Sequence, residues 1–254
     1  MHPGFLLVPS SQPAAVSVLT RARSRRHDRI PYPLSNLLID LIISHKHKFI
    51  FFAVPKTATH AVRQALRPNL AQGDWEQQTL FGEQFLPISE LAAMGHGHIS
   101  VRQLLQHLSS EVWESYFKFA FVRNPFDRFV STCFFLNRKN PQFEESAITF
   151  MKSALNVERF RKGMLVLPQN QLLINDDGNV VLDAVGRYES LQVSYDEICS
   201  RIGIPTTELG RKNPSSHDAY VEYYDDELRD RVATFYEDDL RMFSYDFDSC
   251  APMS

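Results

Sequence analysis

The stretch FIFFAVPKTATHAVRQAL, from Phe49 to Leu66, decides how this chain is read. Phe49 to Val54 is apolar without alternation, as in a strand covered on both faces within a parallel sheet. Pro55 closes the run; Lys56, Thr57, Ala58, Thr59 and His60 follow at once. Ala61, Val62, Ala65 and Leu66 then recur at helical spacing within a predicted helix from Thr57 to Arg67, which Pro68 stops. The stretch predicts a strand, a tight loop and a helix N-terminus, with a cation at the hinge. Unpaired amides at a helix start, the helix dipole and Lys56 together favour an anion. The hydroxyls of Thr57 and Thr59 add donors to that expectation. A Walker A loop needs G-x-x-x-x-G-K-[ST], and no glycine precedes Lys56, which argues against an ordinary ATPase or GTPase. Alone, the stretch fits a surface lysine after a core strand equally well.

A second piece lies at Phe119 to Ser131, FAFVRNPFDRFVS. Phe117 to Val122 predicts another apolar strand, and Asn124 with Pro125 predicts a capped helix start. Arg123 falls where the C-terminal end of a strand meets the next helix, the edge at which α/β sheets bind ligands. Its planar fork suits a phosphate bidentately, and Ser131, two turns into the helix, can lend a hydroxyl. Arg128 is expected to pair with Asp127 or nearby carboxylates, as helix-surface charges do.

Further signals place the remaining elements. Residues 69–97 read as loop with a short helix around Ser89 to Met94. Ser100 and Gln103 form a capping box opening a helix to about Leu108. Gln171 to Ile174 and Asn179 to Leu182 flank Asp-Asp-Gly and predict a hairpin. Ser194 and Glu197 suggest a second capping box, with that helix ending at Gly203, and a long helix is expected from Asp226 to Met242. Strands alternating with helices predict an α/β fold in three layers around a mostly parallel sheet.

Composition sets the outer limits. The 254 residues are 44% hydrophobic and 22% charged with a net charge of −3, which argues against nucleic acid as a partner and makes any anion site local. A single domain over residues 45–254 is expected. Residues 1–44 stand apart as a poorly ordered tail, apolar and Ser/Pro-rich to Thr20, then carrying Arg21, Arg23, Arg25, Arg26 and Arg29. That basic, acid-poor composition also suits an organelle transit peptide. Cys133, Cys199 and Cys250 lack CxxC spacing and read as free thiols of a reducing compartment. Leu37 to Ile43, the best apolar run, is too short to span a bilayer and contains Asp40. No His, Cys, Asp or Glu spacing suggests a metal. Gly95-His96-Gly97-His98-Ile99-Ser100 sets two histidines before a helix start, where the cationic form is disfavoured; they read either as exposed loop residues or as a neutral base.

VPKTAT followed by VRNPFDRFVS resembles the two nucleotide motifs of sulfotransferases, in particular the carbohydrate branch of the heparan 2-O type (family 2) and its bacterial relatives. The resemblance continues through GRYESL (Gly186 to Leu191), KNPSSH (Lys212 to His217) and FSYDF (Phe243 to Phe247), spanning about Lys48 to Phe247. It implies a P-loop-like fold and a sulfuryl donor, 3′-phosphoadenosine 5′-phosphosulfate (PAPS), with no metal. Lys56, Thr57, Ala58, Thr59 and His60 would hold its 5′ end, and Arg123 and Ser131 its 3′-phosphate. The family's first motif usually carries Gly, Ser or Thr where this chain has His60, so a hydroxyl donor is lost there. GHGHIS is similar to the stretch bearing the family's catalytic histidine. That implies His98 as general base and His96 as support or substrate contact, though the two could exchange roles. Tyr188 and Ser215 could touch adenine or the 3′-phosphate by the same analogy.

The mechanism so implied has His98 deprotonating an acceptor hydroxyl on a carbohydrate, while Lys56 and the loop amides offset charge on the leaving phosphate. Residues 69–97 and 137–168 would wall the acceptor. Two other readings stay open: a nucleotide- or glycan-binding module without turnover, and a divergent P-loop kinase. The expected compartment is a bacterial-type cytoplasm, or an organelle if the Arg-rich segment directs it there.

Overall fold

The computed structural model describes residues 41–76, 87–94, 96–210 and 219–248. KNPSSH with Ser215, Cys250, Gly95 and residues 1–40 lie outside the described residues. Five strands form one sheet: β1 (Ile42–Ser44), β2 (Phe49–Phe52), β3 (Trp75–Glu76), β4 (Phe117–Val122) and β5 (Ala184–Arg187), in the order β3-β1-β2-β4-β5. The helices in chain order are α1 (Thr59–Leu66), α2 (Ser89–Ala92), α3 (Val101–Leu105), α4 (Ser110–Ser115), α5 (Pro125–Asn137) and α6 (Ala147–Ala154). They continue with α7 (Glu158–Arg161), α8 (Asn170–Leu173), α9 (Leu191–Ile202), α10 (Asp226–Phe235) and α11 (Glu237–Phe243).

β2, β4 and β5 run parallel, with Phe49 opposite Phe117 and Phe119 opposite Ala184, whereas β1 runs antiparallel to both of its neighbours. The two predicted apolar strands thus sit side by side at the centre. Period-two geometry splits their side chains between faces. Phe49, Phe51, Phe119 and Phe121 pack with Val62 and Leu66 of α1 and with Tyr195, Ile198 and Ile202 of α9. Ile50, Phe52, Ala120 and Val122 pack on the other face with Val101 and Leu104 of α3, Leu172 and Leu173 of α8, and Phe243 of α11. Helices cover both faces, so neither strand alternates with polar residues. A third cluster joins Phe126, Phe129 and Val130 of α5 to Ala147 and Met151 of α6 and Leu228 and Val232 of α10. Gly186 is required for the approach of α9: a Cβ there would lie 2.6 Å from the Phe121 ring and 3.0 Å from the Ser194 Cβ.

Several expectations shift. The sheet takes in Ile42–Ser44, ahead of the expected boundary at residue 45, because β1 buries all three residues beside β2. Residues 69–97 hold a strand, β3, paired with β1 but too short to show a period. The hairpin shrinks to one bridge, Ile174 to Val180, since Asn170–Leu173 form α8 instead. The Ser100–Gln103 capping box is present, with Ser100 accepting from the Gln103 amide and Gln103 from the Ser100 amide. Ser194 is not a cap: α9 starts three residues earlier, and the Ser194 hydroxyl accepts from the Arg187 amide, although the helix does end at Gly203 in the left-handed region. The long helix from Asp226 is broken at Tyr236 into α10 and α11. Tyr236 turns inward, its hydroxyl donating to the Val166 carbonyl at 2.6 Å.

Candidate functional site

Parallel strands bring three exits to one edge: Ala53–Ala58 after β2, Arg123–Asn124 after β4 and Tyr188–Glu189 after β5. The first exit turns through two non-glycine residues at positive φ, Lys56 at 66° and Ala58 at 61°. Ala58 caps α1 in the left-handed conformation with no side-chain bond, and helix geometry leaves the amides at this end without an acceptor inside the helix. Thr57 is fully buried and its hydroxyl donates to the Val54 carbonyl at 2.9 Å, so that hydrogen braces the loop and is spent as a donor. Thr59 opens α1 partly exposed. His60 is tied back along the helix, with Nδ1 accepting from Nη2 of buried Arg63 at 3.2 Å.

Lys56 is half-buried, its Nζ 4.4 Å from the centroid of Phe135. Burial first, then the charges of Arg123 and Arg138, lower its pKa from 10.5 to about 8. Arg123, 4% exposed, reaches across from the second exit and donates from Nη1 to the Lys56 carbonyl at 3.3 Å. The two predicted anion motifs are therefore in contact. The bidentate edge of Arg123, expected for a phosphate, holds Asp127: Nε and Nη2 each donate to a carboxylate oxygen at 2.7 Å. Its guanidinium also lies 4.1 Å from the Tyr188 ring centroid, bringing the third exit into the site.

Asp127 thus belongs to Arg123, and the expectation for Arg128 is corrected. Arg128 is fully buried and clamps a turn, donating to the carbonyls of Leu165, Val166 and Leu167 at 3.1, 3.4 and 2.5 Å. Asn124 caps α5 by accepting from the Phe126 amide. The Arg123 backbone is bracketed by buried Gln169, whose Oε1 accepts from its amide and whose Nε2 donates to its carbonyl, both at 2.9 Å. Gln169 is itself held by Asp239, which accepts from the amides of Gln169 and Asn170. Glu189 of GRYESL accepts from the Asn124 amide and the Tyr245 hydroxyl, each at 2.7 Å.

Asp127, Ser131 and Phe135 follow one another at four-residue spacing and share a face of α5. One end of that face meets Arg123 and the other meets Lys56, which places buried Ser131 between them. Phe135 and Arg138, whose guanidinium lies 4.3 Å from the same ring, escaped the sequence reading. Continuing the spacing onward from Ser131 finds the first of them. Gln169 and Asp239 carry no motif and come to the site only through folding.

His98 is fully buried, and its Nδ1 lies 2.6 Å from the Ala53 carbonyl, three residues before Lys56. A carbonyl only accepts, so Nδ1 carries the hydrogen and Nε2 keeps a bare lone pair, with no partner among the described residues. Burial pushes the His98 pKa well below 6.5; the Ala53 bond opposes this, and His96 and Arg128 add to it. His96 is only partly buried and is also lowered by burial, its ring centroid 6.4 Å from that of His98.

Cys133 and Cys199 are buried free thiols. Among the described residues no cluster of His, Cys, Asp or Glu could hold a metal, and no helix is long and apolar enough to cross a membrane. Compared with known families, residues 40–246 match the sequence model of the sulfotransferase family. Neither curated proteins nor solved structures gave a match.

Proposed function

The chain belongs to the sulfotransferase family, and from that premise we propose that it moves a sulfuryl group from PAPS to a hydroxyl of a carbohydrate acceptor on a P-loop-like three-layer fold. The observation that carries this reading is the pairing, at one strand exit, of a neutral histidine with a bare Nε2 and a lysine bordered by further cations. The donor is doubly anionic at separate ends, and this edge offers cations at both ends of one helix face.

Within this reading each residue has a task. His98 takes the proton of the acceptor hydroxyl at Nε2, its tautomer set by Ala53. Lys56 and the amides at the start of α1, with Thr57, Ala58, Thr59 and His60 shaping the turn, offset negative charge at the 5′ end. Arg123 and Ser131 bind the 3′-phosphate, with Asp127 and Gln169 fixing the Arg123 side chain and backbone. His96 borders the base. Bound PAPS would supply the sulfuryl group and leave as adenosine 3′,5′-bisphosphate, the S–O bond to its 5′-phosphate breaking as the acceptor oxygen bonds to sulfur. The free thiols suit a reducing compartment such as a cytoplasm.

The test is transfer from radiolabelled PAPS to a panel of glycans, phenols and lipids by the wild type, Lys56→Ala and His98→Ala. Transfer to a glycan that is lost in both variants is expected. Transfer that survives both substitutions sinks the mechanism, binding without transfer points to a module, and preference for ATP points to a kinase.

A further inference from the structure

Lys56 shares Phe135 with a second cation. Its Nζ lies 4.4 Å from the ring centroid, and the Arg138 guanidinium carbon lies 4.3 Å from it. Arg138 is fixed in place: it terminates α5, and its Nη1 donates to the Phe135 carbonyl at 2.8 Å. A cation there also offsets the negative end of the α5 dipole, which would otherwise repel an anion. Each cation gains from the ring, yet the two repel each other, and Arg123 adds a third positive charge. Asp127 is the carboxylate that enters this group among the described residues, and both its oxygens are taken by Arg123. Neither Lys56 nor Arg138 has an ion pair among the described residues. Among the described residues no further carboxylate pairs with Lys56 or Arg138, so the pair is open to an anion, and Arg138 is exposed.

We propose that Arg138 is a third cation of the anion site and, with Lys56 beside the same Phe135 ring, holds the 5′-terminal phosphate or phosphosulfate of the nucleotide. The inference rests on the nucleotide reading of the site given above. Nη1 is committed to the Phe135 carbonyl, which leaves the Nε and Nη2 hydrogens of the fork for ligand oxygens.

Calorimetric titration of the wild type, Arg138→Gln, Arg138→Lys and Phe135→Leu decides it. The probes are adenosine 5′-monophosphate, adenosine 3′-monophosphate, adenosine 3′,5′-bisphosphate and inorganic pyrophosphate. Arg138→Gln should weaken the 5′-monophosphate and the bisphosphate by about tenfold to a hundredfold, the worth of a charge-assisted bond. It should leave the 3′-monophosphate unchanged. Arg138→Lys should recover part of the loss, and Phe135→Leu should show the same 5′ selectivity. Unchanged 5′ affinity in Arg138→Gln, or equal loss of both monophosphates, overturns the inference while leaving the nucleotide reading intact. If the wild type binds pyrophosphate but no nucleotide, the nucleotide reading fails; weaker pyrophosphate binding in Arg138→Gln then still supports the cation, and unchanged binding removes it. No binding of any probe overturns both.

Discussion

The loops that leave β2 and β4 touch through one hydrogen bond, from Arg123 to the Lys56 carbonyl, but they are built in opposite ways. The Lys56 loop holds two non-glycine residues at positive φ, caps its helix with no side chain, and carries an ammonium without a carboxylate partner among the described residues. The Arg123 loop has an Asn cap and a bidentate carboxylate on its cation. Gln169 and Glu189 hold its backbone, and Asn124 Nδ2 donates to the Asp246 carbonyl. Strain and unbalanced charge persist where surrounding structure over-determines them. The braced loop is part of that structure, so the first loop is suited to chemistry and the second to placement.

Substitutions can break or sharpen this contrast. The largest effect is expected at His98, which belongs to the first loop through Ala53. His98→Gln should lower turnover by about 10²- to 10⁴-fold in steady-state transfer assays, with nucleotide affinity retained. Lost affinity with unchanged turnover would instead assign His98 to placement. Lys56→Ala should cost about 10²- to 10³-fold in turnover. Its melting temperature should not fall, because a half-buried, unpaired charge leaves with the side chain. Asp127→Asn tests the other loop: unfolding in urea should show a loss of about 1.5–3 kcal/mol, the range for a hydrogen bond to a charged group. A larger effect on turnover than on stability would erase the distinction between the loops.

The smallest effect concerns pH. Lys56 titrates near 8 in the fold against 10.5 ordinarily, so between those values the unfolded chain binds more protons. Stability contributed by this group therefore rises with pH from about 8 to 10.5, while affinity for an anion falls as pH passes 8. Arg123, paired with Asp127, and Arg138 are the charges that face it. Melting curves and sulfate titrations of the wild type minus Lys56→Met should show slopes of opposite sign; equal signs would mean that Lys56 is not the titrating group.

The sheet centre and the start of α5 were legible because burial on both faces demands unbroken apolar runs, and because Asn-Pro is a strong local start signal. The break at Tyr236 was hidden, since the apolar stripe of Asp226 to Met242 continues across it and only the Tyr236 backbone, at φ −111° and ψ 24°, leaves the helical range. At the site, Lys56, Arg123, Ser131 and His98 could be nominated from local motifs. Their partners could not. Whether Asp127 serves Arg123 or Arg128 depends on which side of α5 faces the sheet edge, and Gln169 and Asp239 act across separations of 46 and 70 residues. The low pKa of His98 also has a cause no local motif displays: the ring is fully buried beneath the β2 exit.

The bond from Asn124 to the Asp246 carbonyl spans 122 residues, and Tyr245 reaches Glu189 beside it. During translation the Lys56 loop, β2 and α1 leave the ribosome long before residues 239–246 exist to complete the brace on Arg123. A nascent chain halted short of Asp239 should thus carry both loops, with the Arg123 loop still lacking its support from Asp239 and Asp246.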